Sequence, residues 1–131
     1  MSRFLAFDPD SIPRHPAHAQ GVKGWGDLLF VSAQTGRDRE GRMVSDDLAR
    51  QFARALENAL DVVWAAGGGP ESVTQLRVYL TDLRDYRRRR KGIAEAWERQ
   101  MRGHRPALTI VEVHGLLDEE ARVAIEAEAL V

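Results

Sequence analysis

Few side chains in this sequence combine a reactive type with a telling spacing. His15 and His18 lie three residues apart in a proline-bearing segment. Imidazoles titrate near neutral pH and can bind a metal or move a proton, but this spacing assures no third ligand. The run Arg87-Arg88-Arg89-Arg90-Lys91 invites a nucleic-acid reading. On a helix, however, each residue advances by about 100°, so such a run wraps the circumference and cannot line a phosphate backbone. Asp82, Asp85 and Glu95 nearby fit a solvated helix start instead. Arg90 is the exception, because it falls on the stripe Tyr86, Arg90, Ile93, Trp97, Met101, where an unpaired guanidinium is costly to bury. Its stem reaches the edge, or it pairs with a carboxylate of this chain or a neighbouring subunit, or it holds a carboxylate-bearing ligand in a bidentate fork. Gly67-Gly68-Gly69 resembles a phosphate cradle, but it follows a helix whereas anion-binding loops precede one, so it reads as a helix stop. The sequence contains no G-x-S-x-G, H-E-x-x-H or P-loop pattern.

The elements that must position these groups follow from periodicity. Residues 1–18 read as an irregular segment, with three of the five prolines between Asp8 and His18. Ala19 to Gly24 suits a short strand, and Asp27 to Gln34 carries the apolar run Leu28-Leu29-Phe30-Val31, which suits a strand covered on both faces. From Leu48 to Val63 apolar residues recur at three and four positions, the mark of an amphipathic helix. Ser45, Asp46 and Asp47 precede it as caps. Val73 to Leu80 alternates as a strand, and a second helix, capped by Asp82 or Asp85, carries the Arg90 stripe. Leu108 to Val113 and Arg122 to Leu130 alternate again, joined by the acidic Asp118-Glu119-Glu120. This order predicts a single α+β domain over residues 1–131, with both helices on one face of one sheet.

Composition narrows the function classes. The chain has 131 residues, 19 Lys+Arg against 20 Asp+Glu, and no cysteine. That is enough chain for one core. Near-neutral charge argues against a nucleic-acid or membrane-surface coat, and the missing cysteines exclude disulfides, thiolate nucleophiles and Cys-ligated zinc. With no secretory-type start and no apolar run long enough to span a bilayer, the expected compartment is the cytoplasm.

Five motifs in serial order carry a family resemblance. Phe30-Val31-Ser32-Ala33-Gln34 resembles the strand "lfvSGQ", and Gln51 to Gly67, with Asn58 inside it, resembles "Q…aleNl…vl.aaG". Val78 to Leu83 with Asp85-Tyr86 is similar to "vyltDl.df", Pro106-Ala107-Leu108-Thr109 to "PART", and Val123-Ala124-Ile125-Glu126 to "VEIE". The sequence is thereby identified as a member of the RidA/YjgF family, also called endoribonuclease L-PSP, over about residues 13–131. The resemblance implies a chorismate-mutase-like α+β fold, a mixed sheet backed by two helices, assembled as a homotrimer with clefts between subunits. It further implies hydrolysis of enamines or imines such as 2-aminoacrylate to a 2-keto acid and ammonia, with no metal or organic cofactor. In the family the arginine of "PART" holds the substrate carboxylate, and the first glutamate of "VEIE" helps to position water.

Here Leu108 replaces that arginine, Ala124 replaces that glutamate, and His18 aligns with the tyrosine of the family's "GPYsQ" segment. Leu108 and Ile110 share a strand face, so the cleft floor is expected to be apolar. Arg90 aligns with a family asparagine at the subunit boundary, which makes it the candidate relocated anchor. Arg105, directly before Pro106, is the lesser substitute because its position precedes the strand and suits solvent. His18 is the candidate acid/base group, with Ser32 and Gln34 as polar neighbours. Glu126 is retained in a position that suits a structural polar contact.

The expected substrate-binding set is therefore Arg90, Leu108, Ile110, Ser32, Gln34 and Ala124, and the partners are two further copies of the chain and a small molecule. The leading reading is a cofactor-independent imine or enamine hydrolase of altered specificity. The alternative is a trimeric protein that binds or senses a small molecule without chemistry. A ribonuclease reading follows only from one family name and is opposed by the neutral charge and the wrapped arginines.

Overall fold

The computed structural model describes residues 4–131. Its elements are β1 (Phe4–Phe7), β2 (Gly21–Gly24), β3 (Leu28–Gln34), α1 (Leu48–Ala65), β4 (Val73–Leu80), α2 (Leu83–Arg88), α3 (Arg90–Met101), β5 (Ala107–Glu112) and β6 (Val123–Leu130). The main sheet has the order β3-β6-β4-β5, in which β4 and β5 run parallel and the other pairs antiparallel. This is the mixed sheet of an α+β domain.

α1 forms where the period-3.6 pattern predicts. Asp47 caps it, its carboxylate accepting from the Arg50 amide at 3.0 Å. The helix ends at Ala66, and Gly67 follows at φ +93°, a left-handed conformation that a side chain would strain. The glycine run is thus a helix stop. Phe52, Leu56 and Val63 from α1 are buried with Leu76, Val78 and Leu80 of β4 and Val123 and Ile125 of β6. Each such side chain contributes about 1.5–3 kcal/mol by leaving water.

The expected second helix is two pieces. Asp82 caps α2 through the Asp85 amide at 3.1 Å, and Arg89 (φ −95°, ψ 10°) separates α2 from α3. Arg89 ion-pairs with Asp47 at 3.3 Å and Asp85 at 3.6 Å, which ties the junction to the start of α1.

Two expectations are corrected. Residues 1–3 lie outside the described residues, but Phe4–Phe7 is a strand, paired antiparallel with β2, so residues 1–18 are not irregular throughout. A four-residue apolar patch has too little pattern to register as a strand until its distant partner supplies the hydrogen bonds. β3 is not covered on both faces: Val31 is buried, whereas Leu28 and Phe30 are 56% and 67% exposed. Alternation sends Leu29 and Val31 to the helix side and leaves Leu28 and Phe30 on a bare face.

Candidate active-site cleft

Register fixes which side chains can meet. Leu108 pairs with Leu76, and Ile110 with Val78, on the face covered by the helices. Tyr79 pairs with Ala124 on the opposite face, which also carries Arg77 and Glu126. On the helix face, α2 and α3 stand off the edge strand β5 and leave a cavity of about 490 Å³. Leu108, Ile110, Val78 and Phe52 floor it, Tyr86, Arg90, Ile93 and Trp97 wall it, and residues 15–18 form its rim.

Within this cleft, Arg90 is exposed and makes no side-chain hydrogen bond or ion pair among the described residues. The Tyr86 phenol beside it is pushed up by burial, with Arg90 pulling it back down. His18 and His15 stack with ring centroids 4.2 Å apart. His15 Nδ1 accepts from the Ala17 amide at 3.0 Å, so its lone pair is committed there. His18 Nδ1 is buried and has no hydrogen-bond partner. Burial first, then the neighbouring His15 and Arg105, hold His18 below the usual imidazole range, opposed by Asp8. A neutral imidazole can accept a proton. Stacked rings do not converge on one point, and among the described residues no group of three His, Asp or Glu could hold a metal ion.

His104 also lines the cleft, with Nε2 2.7 Å from the Val73 carbonyl, so that nitrogen carries the proton. Burial pushes its pKa down. Sequence reasoning did not single out His104 or Glu98, which also borders the cleft. The former follows Gly103 in a polar stretch with no period to mark it.

Arg105 departs from its expected solvent position. Its side chain is 15% exposed and is held by both Asp8 oxygens at 3.0 Å and by the carbonyls of His15 and His18 at 2.8 Å. Its guanidinium is therefore committed and is no free anion anchor.

Three expected residues do not reach this cleft within one chain. Ala124 is 5% exposed and lies on the opposite sheet face. Ser32 is exposed on β3 at an irregularity between Val31 and Gln34, and Gln34 turns back to donate to the Ser32 carbonyl at 3.1 Å. Retained Glu126 accepts a short hydrogen bond from the Tyr79 hydroxyl and lies 3.9 Å from Arg77, a structural pairing on the bare face.

A mixed four-stranded sheet backed by helices on one face, with an apolar cleft at its parallel edge, defines a small α+β domain. The sequence profile described as Endoribonuclease L-PSP matches residues 11–131. The chain belongs to the endoribonuclease L-PSP family, the RidA/YjgF family. It is 32% identical over 114 residues to a RutC family protein of Pyrococcus abyssi, covering 86% of this chain and 84% of that one. It is 29% identical over 130 residues to the 2-iminobutanoate/2-iminopropanoate deaminase of Salmonella typhimurium, covering 99% and 98%. The fold matches a Rid-family protein from Yersinia pestis with a TM-score of 0.89 at 24% identity, covering 98% of this chain and 99% of that one. It matches the YjgF gene product of E. coli with a TM-score of 0.70 at 28% identity, covering 86% and 87%.

Proposed function

We propose that the protein is a cytoplasmic, homotrimeric imine or enamine hydrolase that needs no cofactor and acts on 2-imino acids bearing larger apolar side chains. The observation that carries this reading is the composition of the cleft: an apolar floor of Leu108 and Ile110, one uncommitted guanidinium at Arg90, and the imidazole of His18, held neutral, at the rim. Deaminase relatives support the reaction class. The bare sheet face with exposed Leu28 and Phe30 supports assembly, and Ser32, Gln34 and Ala124 join a cleft only if a second copy brings its own face to it.

In this reading Arg90 holds the substrate carboxylate and the side chain lies on Leu108, Ile110 and Trp97. Neutral His18 takes a proton from water as the oxygen bonds to the imine carbon. That proton passes to the amine nitrogen, the carbon–nitrogen bond breaks as His18 takes the proton of the new hydroxyl group and a carbonyl forms, and the departing ammonia takes that proton in turn, so that iminium plus water become the 2-keto acid plus ammonium.

The test is release of keto acid and ammonia from imino acids generated in situ by an amino-acid oxidase. Leucine- and phenylalanine-derived imines are expected to turn over, with little activity on 2-aminoacrylate. Arg90→Ala removes a charge-assisted contact of about 1.5–3 kcal/mol and lowers kcat/KM about 10- to 150-fold. Robust pyruvate release from 2-aminoacrylate overturns the altered specificity, and a monomeric mass in sedimentation overturns the shared cleft. Loss of the family arginine and glutamate at Leu108 and Ala124 favours a second reading, a binding protein without chemistry. Ligand affinity with no turnover on any imine selects it.

A further inference from the structure

The rim of the cleft is held by an arrangement that this reading of the site does not require. Asp8 lies 97 residues from Arg105 in sequence, yet the two form a bidentate pair, both oxygens at 3.0 Å, with side chains 11% and 15% exposed. The same guanidinium takes the His15 carbonyl at 2.8 and 3.1 Å and the His18 carbonyl at 2.8 Å. Asp8 is further engaged by the Gln20 amide at 3.3 Å and by exposed Arg14 at 3.2 Å. On the inner side, the Ala19 amide donates to the Pro106 carbonyl at 2.9 Å, which lays the segment along the start of β5. Five hydrogen bonds from one planar fork reach four acceptor atoms, so one side chain ties Asp8 and the backbone of residues 15–18 to the start of β5.

We infer that Arg105 and Asp8 form a clamp that positions the His18 imidazole over the cleft, with Arg105 acting on the reaction only through the backbone of residues 15–18. A loop with three prolines and no strand or helix between Asp8 and His18 has no ladder of its own to fix a side chain. The clamp supplies that fixity from the rigid edge of the sheet. It explains how an aligned histidine keeps a buried, unpaired nitrogen, since a free loop would turn it to water. The inference rests on the proposed role of His18, but it can be read without any turnover.

The groups around His18 are His15, Asp8, Arg14 and Arg105 on the rim and Arg90, Glu98, Tyr86 and His104 across the cleft. The experiment is titration of the histidine ring signals by NMR in the intact protein, with His18 assigned by His18→Gln. In Arg105→Ala the His18 signal is expected to titrate higher, at about the ordinary 6.5, with the ring stack to His15 lost. Arg105→Lys, which keeps the charge but not the fork, is expected to move part of the way. Asp8→Asn separates positioning from charge. Asp8 raises the His18 pKa through space, so neutralising it in an intact rim pushes His18 further down, whereas an opened clamp lets His18 rise. A rise in Asp8→Asn supports the clamp. A fall there, or a wild-type His18 titration in folded Arg105→Ala, overturns it. If Arg105→Ala does not fold, Asp8→Asn and Arg105→Lys decide the matter. Failure of imine turnover in the wild type, with these titrations as expected, removes the proposed reaction and leaves the clamp standing.

Discussion

Replacing Gln51 by Leu puts a number on how the loops around the sheet are held. Gln51 is fully buried, and its carboxamide nitrogen donates to the Ser45 carbonyl at 2.9 Å and the Glu120 carbonyl at 3.2 Å. Its oxygen accepts from the Arg122 amide at 2.8 Å. One side chain thus joins the turn before α1, the acidic connection and the start of β6. Leucine fills similar volume, so the loss is polar. The half-buried Arg122 amide is left without a partner, which costs about 1–3 kcal/mol, while the Ser45 and Glu120 carbonyls recover partly through water, each losing about 0.5 kcal/mol. The sum is about 2–4 kcal/mol, or a fall in Tm on the order of 10 °C for a domain of this length. Urea denaturation followed by tryptophan fluorescence and circular dichroism, at one fixed protein concentration because assembly shifts the midpoint, measures it. Gln51→Glu accepts from Arg122 but faces two carbonyls with a buried anion, so it is expected to be at least as damaging at neutral pH and less so near pH 4. A loss below about 1 kcal/mol for Gln51→Leu would refute the reasoning, because it would mean that the amide packs without bonding.

Other expectations follow from the same contacts. The Arg37 guanidinium holds Asp118 below the usual carboxylate range through hydrogen bonds at 2.6 and 2.7 Å, so this pair's stabilisation is present above the ordinary aspartate pKa and is lost as pH falls through the lowered one. Asp118→Asn is therefore expected to flatten the acid limb of a stability–pH curve. His18 and His104 are both held down by burial, so the unfolded chain binds protons first and stability declines as pH falls below about 6.5; denaturation at pH 7.5 and 5.5 checks this, and His18→Gln should remove part of the slope. Leu108→Arg places a cation on the cleft floor and, combined with Ala124→Glu, is expected to raise turnover of 2-aminoacrylate in the coupled pyruvate assay. Gly67→Ala, at φ +93°, is expected to destabilise by about 1 kcal/mol in thermal melts without altering the cleft.

What the sequence disclosed depended on how local its cause was. α1 was legible because its period, its cap at Asp47 and its stop at Gly67 all sit within twenty residues or so. Arg90 was singled out by helical spacing, and Leu108 with Ile110 by strand alternation, and all three border the cleft. The break at Arg89 carries no glycine or proline to announce it. β1 needed β2, and the Asp8–Arg105 pair needed the whole fold, because neither partner carries a local mark of the other. That Ala124 and Leu108 lie on opposite faces depends on register across β4, which no single strand's pattern contains.

This sidedness has a genetic consequence under the trimeric reading. Each cleft would then take Arg90 and His18 from one copy and the β3–β6 face from another, so defects on the two sides would belong to different complementation classes. A variant impaired at Arg90 and a variant impaired at Ser32 would each have every cleft defective on one side. Mixed at random in one assembly, about a quarter of their clefts would pair the sound helix side of one with the sound sheet face of the other. Two defects on the same side would never rescue each other.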